Sequence, residues 1–344
     1  MNTQKVKTDP YNIDKKAIEE MGKIISDGGL VAFPTETVYG LGANAFCKEA
    51  AINVFKAKGR PADNPLIVHV NSIEEAEKVV LEIGDNARKI FETFSPGPIT
   101  VILKKSPVIP DEVTAGLDTV AVRIPSHPVA RALIEAAKVP IAAPSANRSK
   151  KPSPTKAEHV INDMDGRIEA IIDGGACEVG VESTVVDMTS DIPVILRPGG
   201  ITYEELVKVL PKACIDRHVT QAVEVDEAPK CPGMKYLHYS PDAEVFVVEG
   251  KENKVGEKIR ELIKENSDKR VGVIRLSDNE YQTDLVLDAG RNNKEYANKL
   301  FDFLRECDLE KIDVVFAEFV VEDEFSLTVK NRLYKSAANK IIRV

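Results

Sequence analysis

No stretch of this sequence approaches the roughly 20 consecutive apolar residues that a membrane-spanning helix needs. The opening segment MNTQKVKTDPYNID has no apolar core of the signal-peptide kind. Both absences lead to the expectation of a cytoplasmic protein that stays off membranes. Positive charge is also scarce: 46 Lys and Arg against 55 Asp and Glu give a net charge of -9. That disfavours a broad nucleic-acid surface, which needs clustered cations on phosphates, and leaves room only for a local anion pocket. The five cysteines (Cys47, Cys177, Cys214, Cys231 and Cys307) contain no CxxC pair, and the histidines no HExxH. Neither a disulfide framework nor a dedicated zinc site is expected. Walker A, GxSxG and GxGxxG motifs are missing too, which excludes a P-loop, a nucleophile elbow and an ordinary dinucleotide site.

What is present is an α/β pattern in two parts. Residues 1–210 form the larger domain. Helical periodicity runs over 14–27, 48–58, 73–83, 86–94, 127–138 and 155–164. Thr155 and Glu158 have capping-box spacing for the last of these. Apolar runs at 30–33, 66–70, 99–105, 120–124, 140–143, 170–173, 183–188 and 193–197 read as strands. Several of these strands follow one another with no helix between, so the sheet is expected to be mixed, with α+β character. Residues 211–242 read as a linker. Its tail, CPGMKYLHYSP, is too rich in Tyr, His and Lys for an inert spacer. Residues 243–344 repeat the alternation, with strands AEVFVV, RVGVIRL, TDLVLD and KIDVVFAEF and helices at 251–266, 294–307 and 326–342. That predicts a smaller, Rossmann-like three-layer domain with a mostly parallel sheet.

Chemistry concentrates at strand ends of the larger domain. PTETVYGLGA, with Thr35, Thr37, Gly40 and Gly42, follows a buried strand, where open sheets place ligand loops. A tight turn with satisfied hydroxyls explains it equally well. KAKGRPADNPLIVHV carries Lys56, Lys58 and Arg60 at a helix end, then Asn64 and His69. Cations there complement the helix dipole, but Pro61 and Pro65 also stiffen the exit into a phosphate clamp. APSANRSKKPSP, after Ala143, crowds Ser145, Asn147, Ser149 and Ser153 among cations. Arg123, Ser183 and Arg197 end apolar runs, and a buried Arg needs a partner or an anionic ligand. Together these residues argue for binding a phosphorylated small molecule without a P-loop.

These segments, with FSPGPITVIL, VAVRIPSHPVA, GVESTVVD and ILRPGGI, resemble the YrdC domain in order and spacing from residue 14 to about 210. The chain as a whole resembles the two-domain form of the threonylcarbamoyl-AMP synthase family. The resemblance implies a twisted open mixed sheet around a basic cavity. It also implies an activity: a nucleotidyl transfer that joins L-threonine, bicarbonate or CO2 and ATP as L-threonylcarbamoyl-AMP, with pyrophosphate released. Mg2+ arrives with ATP, and a separate transferase complex passes the product to tRNA. By the same resemblance, the family's KxR and SxN signature falls on Lys58, Arg60, Ser145 and Asn147, with Lys56 in the same cationic loop and Lys56, Lys58 and Arg60 as the catalytic cations. L-Threonine falls to Thr35, Thr37, His69, Arg123, Ala143 and Ser183. ATP falls to Arg60, Asn64, Thr119, Ala143, Ser145, Asn147, Ser153, Arg197 and His238, and Tyr236 with His238 forms a lid. The competing reading is an RNA-binding module of the YrdC type, which the acidic balance disfavours and which leaves direct tRNA contact weak at most.

Overall fold

The computed structural model describes residues 2–220, 231 and 239–344. It divides into two compact units, Met1–Ser149 with Ser153–Lys235, and Lys150–Pro152 with Tyr236–Val344. No helix among the described residues is long and apolar enough to cross a membrane.

The first unit runs β1 (Gln4–Lys7), α1 (Lys15–Ser26), β2 (Val31–Phe33), β3 (Gly40–Asn44), α2 (Lys48–Lys58), β4 (Ile67–His69), α3 (Ile73–Ala76), α4 (Asp85–Phe94) and β5 (Ile99–Lys104). It continues with α5 (Asp111–Thr114), β6 (Thr119–Arg123), α6 (Pro128–Ala137), β7 (Ile141–Ala143), α7 (Ala157–Met164), β8 (Ala170–Asp173), β9 (Thr184–Asp187), β10 (Val194–Arg197), α8 (Tyr203–Val209), β11 (Cys214–Ile215) and α9 (Arg217–Thr220). Its described strands form one 11-stranded sheet in the order β1-β8-β2-β3-β7-β4-β6-β5-β9-β10-β11. Pairing switches between parallel and antiparallel along that order, so the expected mixed sheet is what forms.

Local chemistry accounts for the element ends. Asp14 caps α1 by accepting from the Ala17 N–H at 3.1 Å, and its apolar stripe, Ile18, Met21 and Ile25, packs with Val129, Leu133 and Ile134 of α6. Gly59, at φ +62°, closes α2 in the left-handed region that costs glycine least. Three expectations need correcting. The helix expected over 73–83 stops at Ala76, because Val80 bridges Lys105 and the Leu81 N–H bonds Lys104 O at 2.9 Å. The Thr155–Glu158 capping box does not form. Helix α7 starts with Lys156 as its cap, so Glu158 sits one position too early, and the Thr155 N–H donates to His159 Nδ1 at 3.2 Å instead. Much of the expected PTETVYGLGA loop is strand β3, in register with both β2 and β7.

The second unit is β12 (Glu244–Glu249), α10 (Glu252–Glu265), β13 (Val271–Arg275), β14 (Leu285–Asp288), α11 (Asn293–Leu309), β15 (Val314–Phe319), α12 (Ser326–Ser336) and β16 (Ile341–Arg343). Its described strands form an all-parallel sheet, β14-β13-β15-β12-β16. The crossovers β12-α10-β13 and β15-α12-β16 run in opposite directions along it, and the right-handed connection that parallel strands favour puts their helices on opposite faces. The helix expected over 326–342 ends at Ser336. Ala338 and Asn339 adopt left-handed φ values of 49° and 61° and turn the chain into β16.

Candidate active site

Side chains alternate across a strand, so His69 and Ile67 of β4 share one face, as do Arg123, Ala121 and Thr119 of β6. The register sets His69 beside Arg123 and Ile67 beside Ala121. Ile67, Ile102, Ala121, Val185 and Leu196 cluster as an apolar floor, and the polar candidates sit at its ends.

Arg123 meets a partner that the sequence reading passed over. Its Nη2 donates to Glu36 Oε1 at 2.7 Å, with both side chains only 5% exposed. The Ser126 N–H holds Glu36 Oε2 at 3.2 Å. Burial alone would raise the Glu36 carboxyl, but the Arg123 charge and hydrogen bond hold it below the usual carboxylate range. Glu36 lies inside the PTETV segment, whose hydroxyls drew attention first. The signal for it was Arg123 itself, since a buried guanidinium needs a counter-charge. One donor stays open: Arg123 Nε is buried and makes no hydrogen bond among the described residues. His69 is buried beside it, with Nδ1 3.0 Å from the backbone carbonyl oxygen of Ile67. Burial, reinforced by the Arg123 charge, pushes its imidazole down to about 3, so it is neutral at physiological pH.

The two threonines read as ligand contacts are occupied locally. Thr35 Oγ1 donates to Val38 O at 2.6 Å and lies 2.8 Å from Thr37 Oγ1. It also accepts from the Thr37 and Val38 N–H groups at 3.2 Å. They shape the turn that delivers Glu36. Ser183 Oγ is 2.7 Å from Thr100 Oγ1, and Arg197 donates to Ser183 O through Nε at 3.1 Å and Nη2 at 3.0 Å. Arg197, expected among the nucleotide contacts, is thus tied to an expected threonine contact. Gly199 permits this, because a Cβ there would lie 2.2 Å from Glu182 O.

The KxR and SxN residues divide. Lys58 is only 3% exposed, and its Nζ donates to Ser145 O at 2.5 Å, Asn147 O at 2.6 Å and Asn147 Oδ1 at 3.3 Å. Ser145 Oγ donates to the same Asn147 Oδ1 at 2.5 Å. The ammonium therefore pins the SAN loop from inside and acts as a positioning group. Lys56, two residues along the helix and so on the opposite side, is exposed and reaches Asn53 at 3.5 Å. The structure does not bring it to the group. Arg60 is half-buried at the exit of α2, its Nη2 donating to Asn64 O at 3.1 Å. The Asn64 side chain is buried with both amide atoms unpartnered among the described residues. Ser153 donates to Glu182 Oε1 at 2.7 Å, a second acid that the sequence reading missed. Ala143 lies beside Ile67 in the β4–β7 pairing. Thr119 is on the Arg123 face at the other end of β6, roughly 13 Å away along the strand. Tyr236 and His238, the expected lid, lie outside the described residues.

PTETVYGLG and the SAN loop meet through backbone. Gly40 bridges Ser145, the Ala146 N–H donates to Tyr39 O at 2.8 Å, and the Leu41 N–H to Pro144 O at 2.8 Å. The result is a backbone frame with an open guanidinium donor and a neutral imidazole at the ends of β4 and β6, and a cation with an unsatisfied amide past the end of α2. The first set of groups can hold a carboxylate and the second a phosphate chain.

Both units have counterparts among known proteins. The family model Sua5_yciO_yrdC, described as "Telomere recombination", matches residues 23–199. A second, "Threonylcarbamoyl-AMP synthase, C-terminal domain", matches residues 201–338. Threonylcarbamoyl-AMP synthase of Pyrococcus abyssi is 51% identical over 96% of this chain and 97% of its own length. The Bacillus subtilis protein of the same name is 43% identical over 98% of this chain and 97% of its own. The crystal structure of Pyrococcus abyssi Sua5 complexed with L-threonine matches with a TM-score of 0.94 and 49% identity, covering 100% of both chains.

Proposed function

This chain belongs to the two-domain threonylcarbamoyl-AMP synthase family, and from that premise we propose that it makes L-threonylcarbamoyl-AMP and pyrophosphate from L-threonine, bicarbonate or CO2, and ATP. The observation that carries the reading is the open Arg123 Nε, buried next to a neutral His69 and a paired Glu36. A threonine carboxylate supplies the acceptor that this donor lacks, and the threonine complex of the Pyrococcus abyssi relative supports that occupant. The unsatisfied Asn64 amide and the Arg60 guanidinium supply donors for the nucleotide.

In this reading the threonine amine, once deprotonated, adds to CO2, or to bicarbonate with loss of water, and becomes a carbamate. A carbamate oxygen attacks the α-phosphorus of ATP, the bond to the β-phosphate oxygen breaks, and pyrophosphate leaves. No covalent enzyme intermediate is required. The protein's part is to align the carbamate with the α-phosphorus and to stabilise charge on the phosphates, through Arg60 directly and Lys58 by fixing the SAN loop. Magnesium enters with ATP. Among the described residues no group of three His, Cys, Asp or Glu side chains could hold a metal ion unaided. The product then passes to a separate tRNA-modifying transferase. None of the five cysteines is in a disulfide, which suits a reducing compartment.

The test is incubation of the purified chain with ATP, L-threonine and labelled bicarbonate. Label should enter an adenylate, with pyrophosphate appearing in step. Pyrophosphate release that is independent of threonine, or no labelled adenylate at all, overturns the reading.

A further inference from the structure

We propose that Glu36 is a specificity-determining residue: paired with Arg123, it makes a buried pair without net charge, so that a carboxylate is accepted only from a ligand that also carries an amine. The inference rests on the proposed threonine site and adds to it what selects the amino acid as a zwitterion.

The argument is one of charge in a buried place. Glu36 and Arg123 lie 2.7 Å apart with little solvent on either, so neither charge is screened as it would be at the surface. His69 is neutral, and the charges that act on it are those of Arg123 and Glu36. Arg123 is likewise the charge that acts on Glu36. Arg197 keeps its positive charge but turns it to Ser183 O, and Thr100 and Ser183 are hydroxyls bonded to each other. A simple carboxylate on Arg123 would therefore bring the pair and its ligand to one net negative charge, which burial penalises. The same carboxylate with an ammonium on the adjacent carbon adds nothing net. A lone Arg123 would have the opposite preference, attracting any carboxylate and repelling the ammonium.

The rival explanation is that Glu36 only shapes its loop. Its carboxylate does accept from the Ser126 N–H, and its carbonyl accepts from the Val179 N–H at 2.8 Å. A loop defect weakens every ligand alike, whereas a lost charge changes the ratio between ligands.

Titration calorimetry on the full chain separates the two, using L-threonine and 3-hydroxybutanoate, the same skeleton without the amine. The wild-type chain should bind threonine at least about 100-fold more tightly. In Glu36→Gln, which keeps the size and removes the charge, that ratio should shrink by about tenfold or more, because threonine loses affinity and hydroxybutanoate does not. Glu36→Asp, which keeps the charge, should stay near the wild-type ratio. A Glu36→Gln chain that weakens both ligands by the same factor overturns the proposal, as does a wild-type chain that binds the two within about tenfold. That second measurement needs no variant and stands even where Glu36→Gln does not fold. A wild-type chain that does not bind threonine at all overturns the proposed function, and this inference with it. Tight threonine binding with an unchanged ratio overturns this inference alone.

Discussion

Replacing Lys58 with methionine asks whether its charge serves the reaction or the loop. Methionine keeps most of the side-chain bulk and removes the ammonium. The structure then leaves two backbone carbonyls, Ser145 O and Asn147 O, and the Asn147 Oδ1 short of a donor at a site where the lysine is 3% exposed. An acceptor left unsatisfied in the interior costs about 1–3 kcal/mol. Asn147 Oδ1 keeps the Ser145 hydroxyl, so two full losses are the sensible count, or about 3–5 kcal/mol after some relaxation. For a unit of this size each kcal/mol moves the melting temperature by about 2–4 °C, which puts the expected drop near 10 °C. Calorimetric melting of the full chain measures the drop, and steady-state kinetics with ATP varied gives the second readout. The loosened SAN loop should raise KM for ATP as well as lower kcat. Arginine should not rescue, because its planar fork cannot converge on three oxygens as an ammonium does. A Lys58→Met chain that melts within about 2 °C of wild type, yet has lost turnover with an unchanged KM, would refute the pin and return Lys58 to a direct role on phosphate.

Arg60→Ala should fold normally, since Arg60 is half-buried outside the core, and should lose about 10- to 100-fold in kcat/KM for ATP; wild-type turnover would remove Arg60 from the nucleotide site. Unfolded His69 takes up a proton near pH 6.5 while the folded group stays neutral to about 3. The unfolded state therefore binds more protons between those values, and stability falls as pH drops through that window. His69→Gln should flatten the decline by up to about 1.4 kcal/mol per pH unit, measured by urea unfolding across the window. Gly42→Ala should destabilise the first unit by about 1–3 kcal/mol, because the new methyl would lie 2.8 Å from Ile141 Cγ2 and 2.9 Å from Phe33; an unchanged denaturation midpoint would contradict that packing.

Much of this was legible in the sequence where a residue's partner lies nearby in the chain or on a regular strand. The apolar runs over 120–124 and 66–70 put Arg123 and His69 at strand ends, and the structure pairs them. What was hidden depended on long-range partners. Glu36 and Arg123 are 87 residues apart, and Ser153 and Glu182 are 29 apart. No local period announces either pair. Lys56 and Lys58 look alike in the sequence, yet α2 turns one to solvent and buries the other. Strand β3 was hidden because two of its five residues are glycine, which lowers strand propensity. They are tolerated there because the neighbouring chain is too close to admit a side chain at Gly42.

The prolines that punctuate the strand ends have a physical role in this arrangement. The proposed reaction has no covalent intermediate and would depend on bringing a carbamate oxygen and a phosphorus together, and such placement can supply about 7–11 kcal/mol of the barrier. That benefit is lost if the loops fluctuate. Pro34, Pro144 and Pro154 fix φ on either side of the cleft, and the carbonyls of the latter two accept from the N–H groups of Leu41 and Tyr39 at 2.8 Å. The two loops thus hold each other through backbone, and Lys58 pins the SAN turn from beneath. Their polar side chains are committed to one another, as with Ser145 and Asn147. Arg123 Nε and the Asn64 amide keep open donors, one for each of the two ligands to be joined. Rigidity in the loops and vacancy at those two groups are the combination that a positional catalyst requires.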